Sequence, residues 1–429
     1  MKGFLTEDTR QGAFVGKVPW ITFLFLTAVF FIGIHEWLFS LNAGEGFASL
    51  LDETTARIEQ GSILRRIVFF SMGTYAVVSF LATRYRAKAE GALGWLMLLY
   101  LSWSILSLAW SENLAISFRR IVLFLILYIS AFAVSQRFSL RDIVLWVFFS
   151  TLIYLHVGLA AELALGTFHP LAGGYRFAGT LHPNSQGINC ALLFFASFFL
   201  LIGQKRWRWV LVAIFCESLI FLFLTKSRTS LGFSLLALLI YLFMNGPRSR
   251  KGAIVLCVIF ISCILLLIDD NFMPVLRQSI TLGRKDAETI TLTGRIPLWG
   301  QLLPYIARRP IQGYGYDGFW TPRHTAEIAN EQNWVVSHGH SAYIDLSLSL
   351  GVVGAVTYIL MVLVGIRRTL AYQKLSSNAE YSFFGVVLVF IALHGLLESI
   401  ITTANQLSFI FLLILASLGF SSQPRGSLG

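Results

Sequence analysis

Apolar runs of about twenty residues, separated by short polar connections, recur along most of the chain at approximately 18–40, 65–83, 92–110, 119–136, 143–165, 185–203, 208–225, 230–245, 253–269, 341–366, 382–402 and 404–420. A helix of that length crosses the roughly 30 Å hydrocarbon core of a bilayer with its backbone N–H and C=O groups satisfied internally. A barrel would show segments of about ten residues with alternating polarity. These runs are continuous and rich in Leu and Phe, so the pattern predicts helices. The expectation is an all-α polytopic membrane protein with about twelve transmembrane helices. One hydrophilic stretch, 270–340, interrupts the series and divides the chain into helices 1–9 within 1–269, a large loop over 270–340 and helices 10–12 within 341–429. The loop holds Trp299, Tyr305, Tyr314, Tyr316, Phe319, Trp320 and Trp334 with several prolines, too aromatic for a disordered linker. It predicts short helices and an ordered cap. No internal repeat is evident, and the first run, which follows a 17-residue polar leader, has no small-residue cleavage pattern after it and reads as a retained helix.

Composition agrees with a membrane chain. Of 429 residues, 56% are hydrophobic and 13% charged, against about 25% charged in soluble domains. The net charge of +11 does not point to nucleic acid, because the basic residues fall in short clusters between apolar runs rather than on one soluble face. They read as topology signals, with membrane lipid as the partner. An N-terminus in the cytoplasm puts Arg84, Arg86, Lys88, Arg137, Arg141, Lys205, Arg206, Arg208, Arg248, Arg250, Lys251, Arg367, Arg368 and Lys374 inside, 14 basic residues in five short connections. The short outer connections then carry 8, counting Arg65, Arg66, Arg119 and Arg120 at helix ends. The positive-inside rule favours this orientation, with both termini cytoplasmic and the large loop periplasmic. The 8 outer cations exceed what the rule prefers, and one reading is that they bind something anionic outside. The four cysteines, Cys190, Cys216, Cys257 and Cys263, all lie inside apolar runs without CxxC spacing, which indicates packing thiols rather than disulfides or a metal site.

Four polar segments carry candidate chemistry, all on the outer side of this topology. Arg176-Phe177-Ala178-Gly179 is followed by His182-Pro183-Asn184. Asn184 has the position of an N-cap, while an arginine adjoining apolar helices needs water or a partner such as a diphosphate. Lys226-Ser227-Arg228-Thr229-Ser230 is a short basic turn, either a snorkelling hairpin tip or a cation held at headgroup height. Thr291-Leu292-Thr293-Gly294-Arg295 through Trp299 precedes Arg308-Arg309-Pro310-Ile311-Gln312-Gly313-Tyr314-Gly315-Tyr316-Asp317. Its Gly-Tyr-Gly-Tyr element reads as a tight turn or as aromatic faces, Tyr314 and Tyr316, for stacking on sugars. Ser337-His338-Gly339-His340-Ser341 leads into Leu350-Gly351-Val352-Val353-Gly354, whose glycines read as helix-packing contacts. The two histidines lack a carboxylate or Cys that would complete a metal set, and one imidazole at a helix mouth suits proton transfer. Glu217, and His394 with Glu398 four residues on, read as helix–helix hydrogen bonds within apolar runs, with a proton or substrate pathway as the other reading.

Arg-x-x-Gly, then Ser-Arg, then Thr-Gly-Arg-x-x-x-Trp with Pro-x-x-Gly-x-Gly, then His-x-His-Ser ahead of Leu-Gly-x-x-Gly, in this order over roughly 170–360, resembles the O-antigen ligase and polymerase superfamily. The Thr-Leu-Thr-Gly-Arg and Gly-Tyr-Gly-Tyr forms look closest to members that polymerise rhizobial-type exopolysaccharides. This chain has His340-Ser341 where the family usually shows His-Asn. The resemblance implies a glycosyltransferase-C type fold in the bacterial inner membrane, with the active site on the periplasmic face. It implies an undecaprenyl-diphosphate-linked glycan donor, a glycan or lipid A-core acceptor, polysaccharide assembly proteins as partners, and no cofactor or metal. Carried across by motif, Arg176, Arg228 and Arg295 bind the diphosphate, His340 is the base of an inverting transfer, and His338 is its substrate-binding neighbour. Polymerase and ligase share this donor chemistry, and the motif forms lean to polymerase. A transporter or flippase is a reading from another class, suggested by the helix number and Glu217; the concentration of polar motifs at one face argues against it.

Overall fold

The computed structural model describes residues 20–34, 47–82, 85–172, 174–203, 206–247, 294–376, 378–399 and 403–424. The expected helix at 253–269, with Cys257 and Cys263, and the loop up to Thr293 lie outside these residues. Eleven of the twelve expected runs coincide with helices. These are α1 (Trp20–Ile34), α3 (Ile63–Leu81), α4 (Gly91–Leu106), α5 (Leu114–Ser135), α6 (Leu140–Ala164), α7 (Pro183–Gly203), α8 (Arg208–Leu224), α9 (Arg228–Asn245), α12 (Ala342–Ser376), α13 (Ala379–His394) and α14 (Gln406–Gly419). An amphipathic helix, α2 (Phe47–Gln60), precedes α3, and the two short helices α10 (Arg295–Arg308) and α11 (Pro322–Gln332) lie between α9 and α12. Among the described residues, seven helical stretches, the first running Ala48–Leu81 through α2 and α3, are long and apolar enough by length and composition to cross a membrane.

The helices begin where the sequence supplies caps. Ser62, Asn113, Asn405 and Thr321 each accept a backbone N–H from the first turn of the helix that follows, and Ser139 with Asp142 forms a complete capping box. Every residue of α14 is buried, so this mostly apolar helix lies in the interior of the bundle. Phe409 on α14 meets Phe30 at 5.0 Å and Trp146 at 5.6 Å. Apolar side chains on outward faces, Leu81, Trp95 and Trp209 among them, are exposed as lipid contact requires.

The connections sort to two ends of the bundle. At one end, β1 (Tyr85–Ala89) pairs antiparallel with β2 (Phe420–Pro424), in a register that sets Ala89 opposite Phe420. Arg368 ties this end together by donating to Leu418 O and to Glu90 O. The motif-bearing connections gather at the other end. Trp110 Nε1 donates to Gln312 O at 3.0 Å, Arg65 to Ala404 O at 2.5 Å, and Ala342 N to Gly395 O at 2.8 Å. Residues 294–340 pack there around their own small core of Leu298, Leu302, Phe319, Trp320, Ile328 and Val336.

Two expectations change. Gly351 and Gly354 were expected as packing contacts in an unbroken helix, but α12 breaks at Gly351, which adopts φ 65° and ψ −165°. The break frees Leu348 O and Val352 N, which bond Tyr314 N at 2.7 Å and Pro310 O at 2.8 Å. The Gly-Tyr-Gly-Tyr turn docks into that opening because Gly313 lacks a side chain; a Cβ there would lie 2.6 Å from Leu348 O. The run 382–402 likewise ends as a helix at His394, and residues 395–399 form a turn that carries Glu398 out of the helix.

Candidate active site

Arg176 is positioned by a loop that is clamped from both sides. Phe177 is fully buried against Phe221 at 4.7 Å, and its N–H donates to Leu224 O at 2.8 Å. Gly179 takes a left-handed φ of +60° against Gly158 of α6, where a Cβ would come within 2.7 Å of Gly158 Cα. The buried Glu162 accepts the N–H groups of Ala178 and Gly179 at 3.0 and 2.7 Å, together with the Tyr175 hydroxyl. Arg176 is thereby aimed at α7 and α8: its Nε donates to Thr225 O at 3.0 Å and its Nη2 to Asn184 Oδ1 at 2.9 Å.

Arg228 opens α9 after a turn tight enough that Lys226 takes a φ of 49°. The helices approach closely here because α7 has Gly187, whose added Cβ would lie 2.9 Å from Ser227 Cβ. Arg295 opens α10 after the left-handed Gly294. Its Nη2 donates to Glu398 Oε1 at 2.8 Å, and Asn184 Nδ2 donates to the same oxygen at 3.0 Å. Arg176, Asn184, Glu398 and Arg295 thus form one continuous polar chain. Arg228, Arg295, Asn184, Glu398, His340 and Trp334 face a common cavity of about 760 Å³, with Phe233, Leu236 and Leu397 on its apolar side. Arg176 stands behind this wall, reaching it through Asn184.

The histidine strand is pinned by its middle residue. Both carboxylate oxygens of Asp345 accept Gly339 N–H, at 2.9 and 3.0 Å, and Trp299 Nε1 donates to Gly339 O at 2.8 Å. Asp345 also accepts Trp320 Nε1 at 2.8 Å. His340 follows in a left-handed conformation, φ 49°, uncommon for a residue with a side chain and a mark of a position held by its surroundings. Its ring lies 5.4 Å from Trp334 and 4.1 Å from His338. Its Nδ1 is 3.8 Å from Glu398 Oε2, in ion-pair range but too far for a hydrogen bond, and has no hydrogen-bond partner among the described residues.

Electrostatics separates the residues. Burial opposes the charge on Glu398, but the His340 ring and the Arg295 guanidinium outweigh it and hold the carboxyl down at about 2. Burial, followed by the neighbouring His340, pushes His338 down to about 3, which keeps it neutral and a weak base.

Of the residues singled out by sequence, Arg228, Arg295 and His340 meet at the cavity, Arg176 is one side chain removed, and His338 lies behind His340. Tyr314 and Tyr316 are not brought there. Tyr314 is 3% exposed, packed among Tyr305, Phe319 and His324, and donates its hydroxyl to Tyr305 O. Tyr316 is 4% exposed and lies 4.9 Å from Phe124 of α5. Their glycines serve to dock the turn. Asn184, expected as an N-cap, sits inside α7 and bridges Arg176 to Glu398, because Pro183 already begins the helix. Sequence reading missed the hub role of Glu398, the Trp334 wall and the Glu162 clamp. A carboxylate at the end of each apolar run was the available signal. Glu217 pairs with His156 on α6 at 3.2 Å, a helix–helix contact as expected.

Residues 212–359 match a family model described as O-Antigen ligase, the superfamily that the motif order resembles. The matched stretch holds Arg228, Arg295, His338 and His340, whereas Arg176, Asn184 and Glu398 join the cavity from outside it. No curated protein matches the chain.

Proposed function

With an O-antigen ligase domain over residues 212–359 as premise, we propose that the chain transfers a glycan from undecaprenyl diphosphate to an acceptor hydroxyl at the periplasmic face, as a polysaccharide polymerase. The observation that carries this reading is the convergence of Arg228, Arg295 and His340 on one cavity with an apolar side. A polyprenyl chain suits that side, and the diphosphate suits the two guanidiniums. Arg176 braces them through Asn184 and Glu398.

The acceptor oxygen attacks the anomeric carbon as the bond from that carbon to the diphosphate oxygen breaks, with the electron pair leaving on the diphosphate. Fixed guanidiniums stabilise this growing negative charge in a poorly screened site. His340 takes the hydroxyl proton, and Glu398, on the Nδ1 side of the ring, stabilises the imidazolium formed. Attack opposite the leaving group inverts the anomeric carbon. His338 is the poorer base, because an efficient base titrates near working pH and His338 is held near 3. The rival reading, ligation of finished glycan onto lipid A-core, is favoured by the description of the matched family and differs only in the acceptor.

The test is the full chain in lipid nanodiscs with an undecaprenyl-diphosphate oligosaccharide and either a second such lipid or lipid A-core as acceptor. Release of undecaprenyl diphosphate coupled to a longer lipid-linked glycan is expected. His340→Ala should bind donor normally yet transfer about a hundred- to ten-thousandfold more slowly, with His338→Ala much less affected. Full turnover by folded His340→Ala would remove it as the base.

A further inference from the structure

A second cavity lies on the far side of the histidine strand. It is an open cleft of about 1770 Å³ between α2, α3, α5, α14 and residues 316–345, and His338 lines it. His340, whose ring is 4.1 Å from that of His338, lines the first cavity. The two cavities are therefore separated at this point by little more than a pair of imidazoles.

The second cavity repeats the chemistry of the first. Arg65, Arg66, Arg119 and Arg120 stand at its rim, and Ile67, Phe70, Ile126, Leu127, Phe411 and Leu412 form an apolar wall. Arg120 pairs with Asp317 at 3.3 Å. Among the described residues, Arg66 and Arg119 donate to backbone oxygens: Arg66 to Gln60 O, Arg119 to Glu59 O at 2.6 Å and to Ile58 O. Among the described residues neither has a carboxylate partner. Carbonyls orient a guanidinium without neutralising it, and the two heads crowd each other: Arg66 Nη2 and Arg119 Nη1 lie 3.2 and 3.7 Å from where a side chain on Gly61 would start. Two like charges fixed this close at the mouth of a cavity call for an anion between them. The other lining carboxylate, Asp345, is occupied by Gly339 and Trp320. The volume exceeds the roughly 300–1,000 Å³ of ordinary small-molecule pockets, which favours a glycolipid over a metabolite.

We propose that this second cavity is the acceptor site, and that its occupant is a second lipid-diphosphate-linked glycan, its diphosphate on Arg66 and Arg119 and its polyprenyl chain along the apolar wall. The proposal rests on the donor assignment above and deepens it: two cavities of like chemistry flanking one base fit an enzyme whose two substrates are alike, as in polymerisation. The same assignment explains the surplus of arginines on the outer connections.

The test counts bound lipids. Native mass spectrometry of the full chain with sugar-free polyprenyl diphosphate, against uncharged polyprenol as the control for unspecific lipid, should show two diphosphates per chain. Arg66→Gln/Arg119→Gln should retain one. Thr74→Trp, which fills the apolar wall without touching an arginine, should also retain one and guards against a fold defect in the double variant. Arg228→Lys should lose the other, and the combination should bind none. In the transfer assay the Arg66→Gln/Arg119→Gln chain should need at least tenfold more acceptor lipid for half-maximal rate at an unchanged donor requirement. One diphosphate on the wild type, undiminished in the Arg66 and Arg119 variant, overturns the second site. Two diphosphates with a raised donor requirement in that variant would exchange the cavities' roles and overturn the acceptor assignment. A wild type that binds two but transfers no glycan to either acceptor leaves the second site standing and refutes the proposed reaction instead.

Discussion

Glu398 gathers Asn184, Arg295 and His340 around one carboxylate, so its charge state governs the candidate site. Its carboxyl is held at about 2, against a usual value near 4.3. A lowered carboxyl contributes stability that is fully present above the unfolded value and is lost as pH falls through the folded one. The window is therefore about pH 4 down to pH 2. Glu398→Gln is expected to lower stability at pH 7 by roughly 3 kcal/mol, the scale of breaking a buried ion pair, with the difference from wild type shrinking toward pH 2. Thermal unfolding midpoints of both proteins at pH 7 and pH 3 check this; coincident midpoints at pH 7 would leave Glu398 without the role given to it. Sequence reading found the cations of this network because a guanidinium or imidazole beside apolar helices demands a partner. It assigned Glu398 to a helix–helix bond because the apolar run continues through Ile400 and Ile401, which hides the end of the helix at His394.

Between elements, the decisive contact is the seating of the 310–314 turn in the break of α12. A Cβ on Gly351 would lie 2.1 Å from Ile311 O, in a backbone conformation that side chains rarely adopt. Relief requires separating the turn from the helix and losing the Tyr314–Leu348 and Val352–Pro310 bonds, so Gly351→Ala is expected to cost at least about 3 kcal/mol and to lower folded yield. Gly300 in α10 is the comparison, since a Cβ there meets nothing within 4 Å. Gly300→Ala should be neutral or stabilise by up to about 1 kcal/mol through its helix preference. Unfolding midpoints in one detergent compare them, and equal tolerance of alanine at both positions would show that the break does not hold the turn. The helices themselves were legible because apolar length is a one-dimensional signal. The break was not: Leu-Gly-x-x-Gly in an apolar run has the form of a packing motif, and only its partner Ile311, 40 residues earlier in the chain and met in space, explains the glycine.

At the scale of the whole molecule, two opposite ends carry different chemistry. Arg137, Arg206, Arg208, Arg367, Arg368 and Lys374 belong to the end closed by the β1–β2 pair, whereas the Arg176, Arg228, Arg295 and His340 segments gather at the other. On the orientation we propose from the basic bias, the first end is cytoplasmic. For the proposed function that orientation matters chemically, since His340 and the cavity arginines can serve a lipid-linked donor only on the side where its glycan stands. Ser376, at the exposed C-terminal end of α12, and Glu331, exposed on α11, mark the two ends, and neither lines a cavity. With Cys190, Cys216, Cys257 and Cys263 replaced, a single cysteine at Glu331 should react with a membrane-impermeant maleimide in intact spheroplasts, and one at Ser376 only after permeabilisation. Both should react equally in detergent, which controls for local accessibility. The reverse pattern would invert the chain and place the cavities on the cytoplasmic side, against the proposed periplasmic transfer; equal labelling in intact cells would mean that the two ends do not lie on opposite sides, and the division of labour inferred from the basic clusters would fail with it.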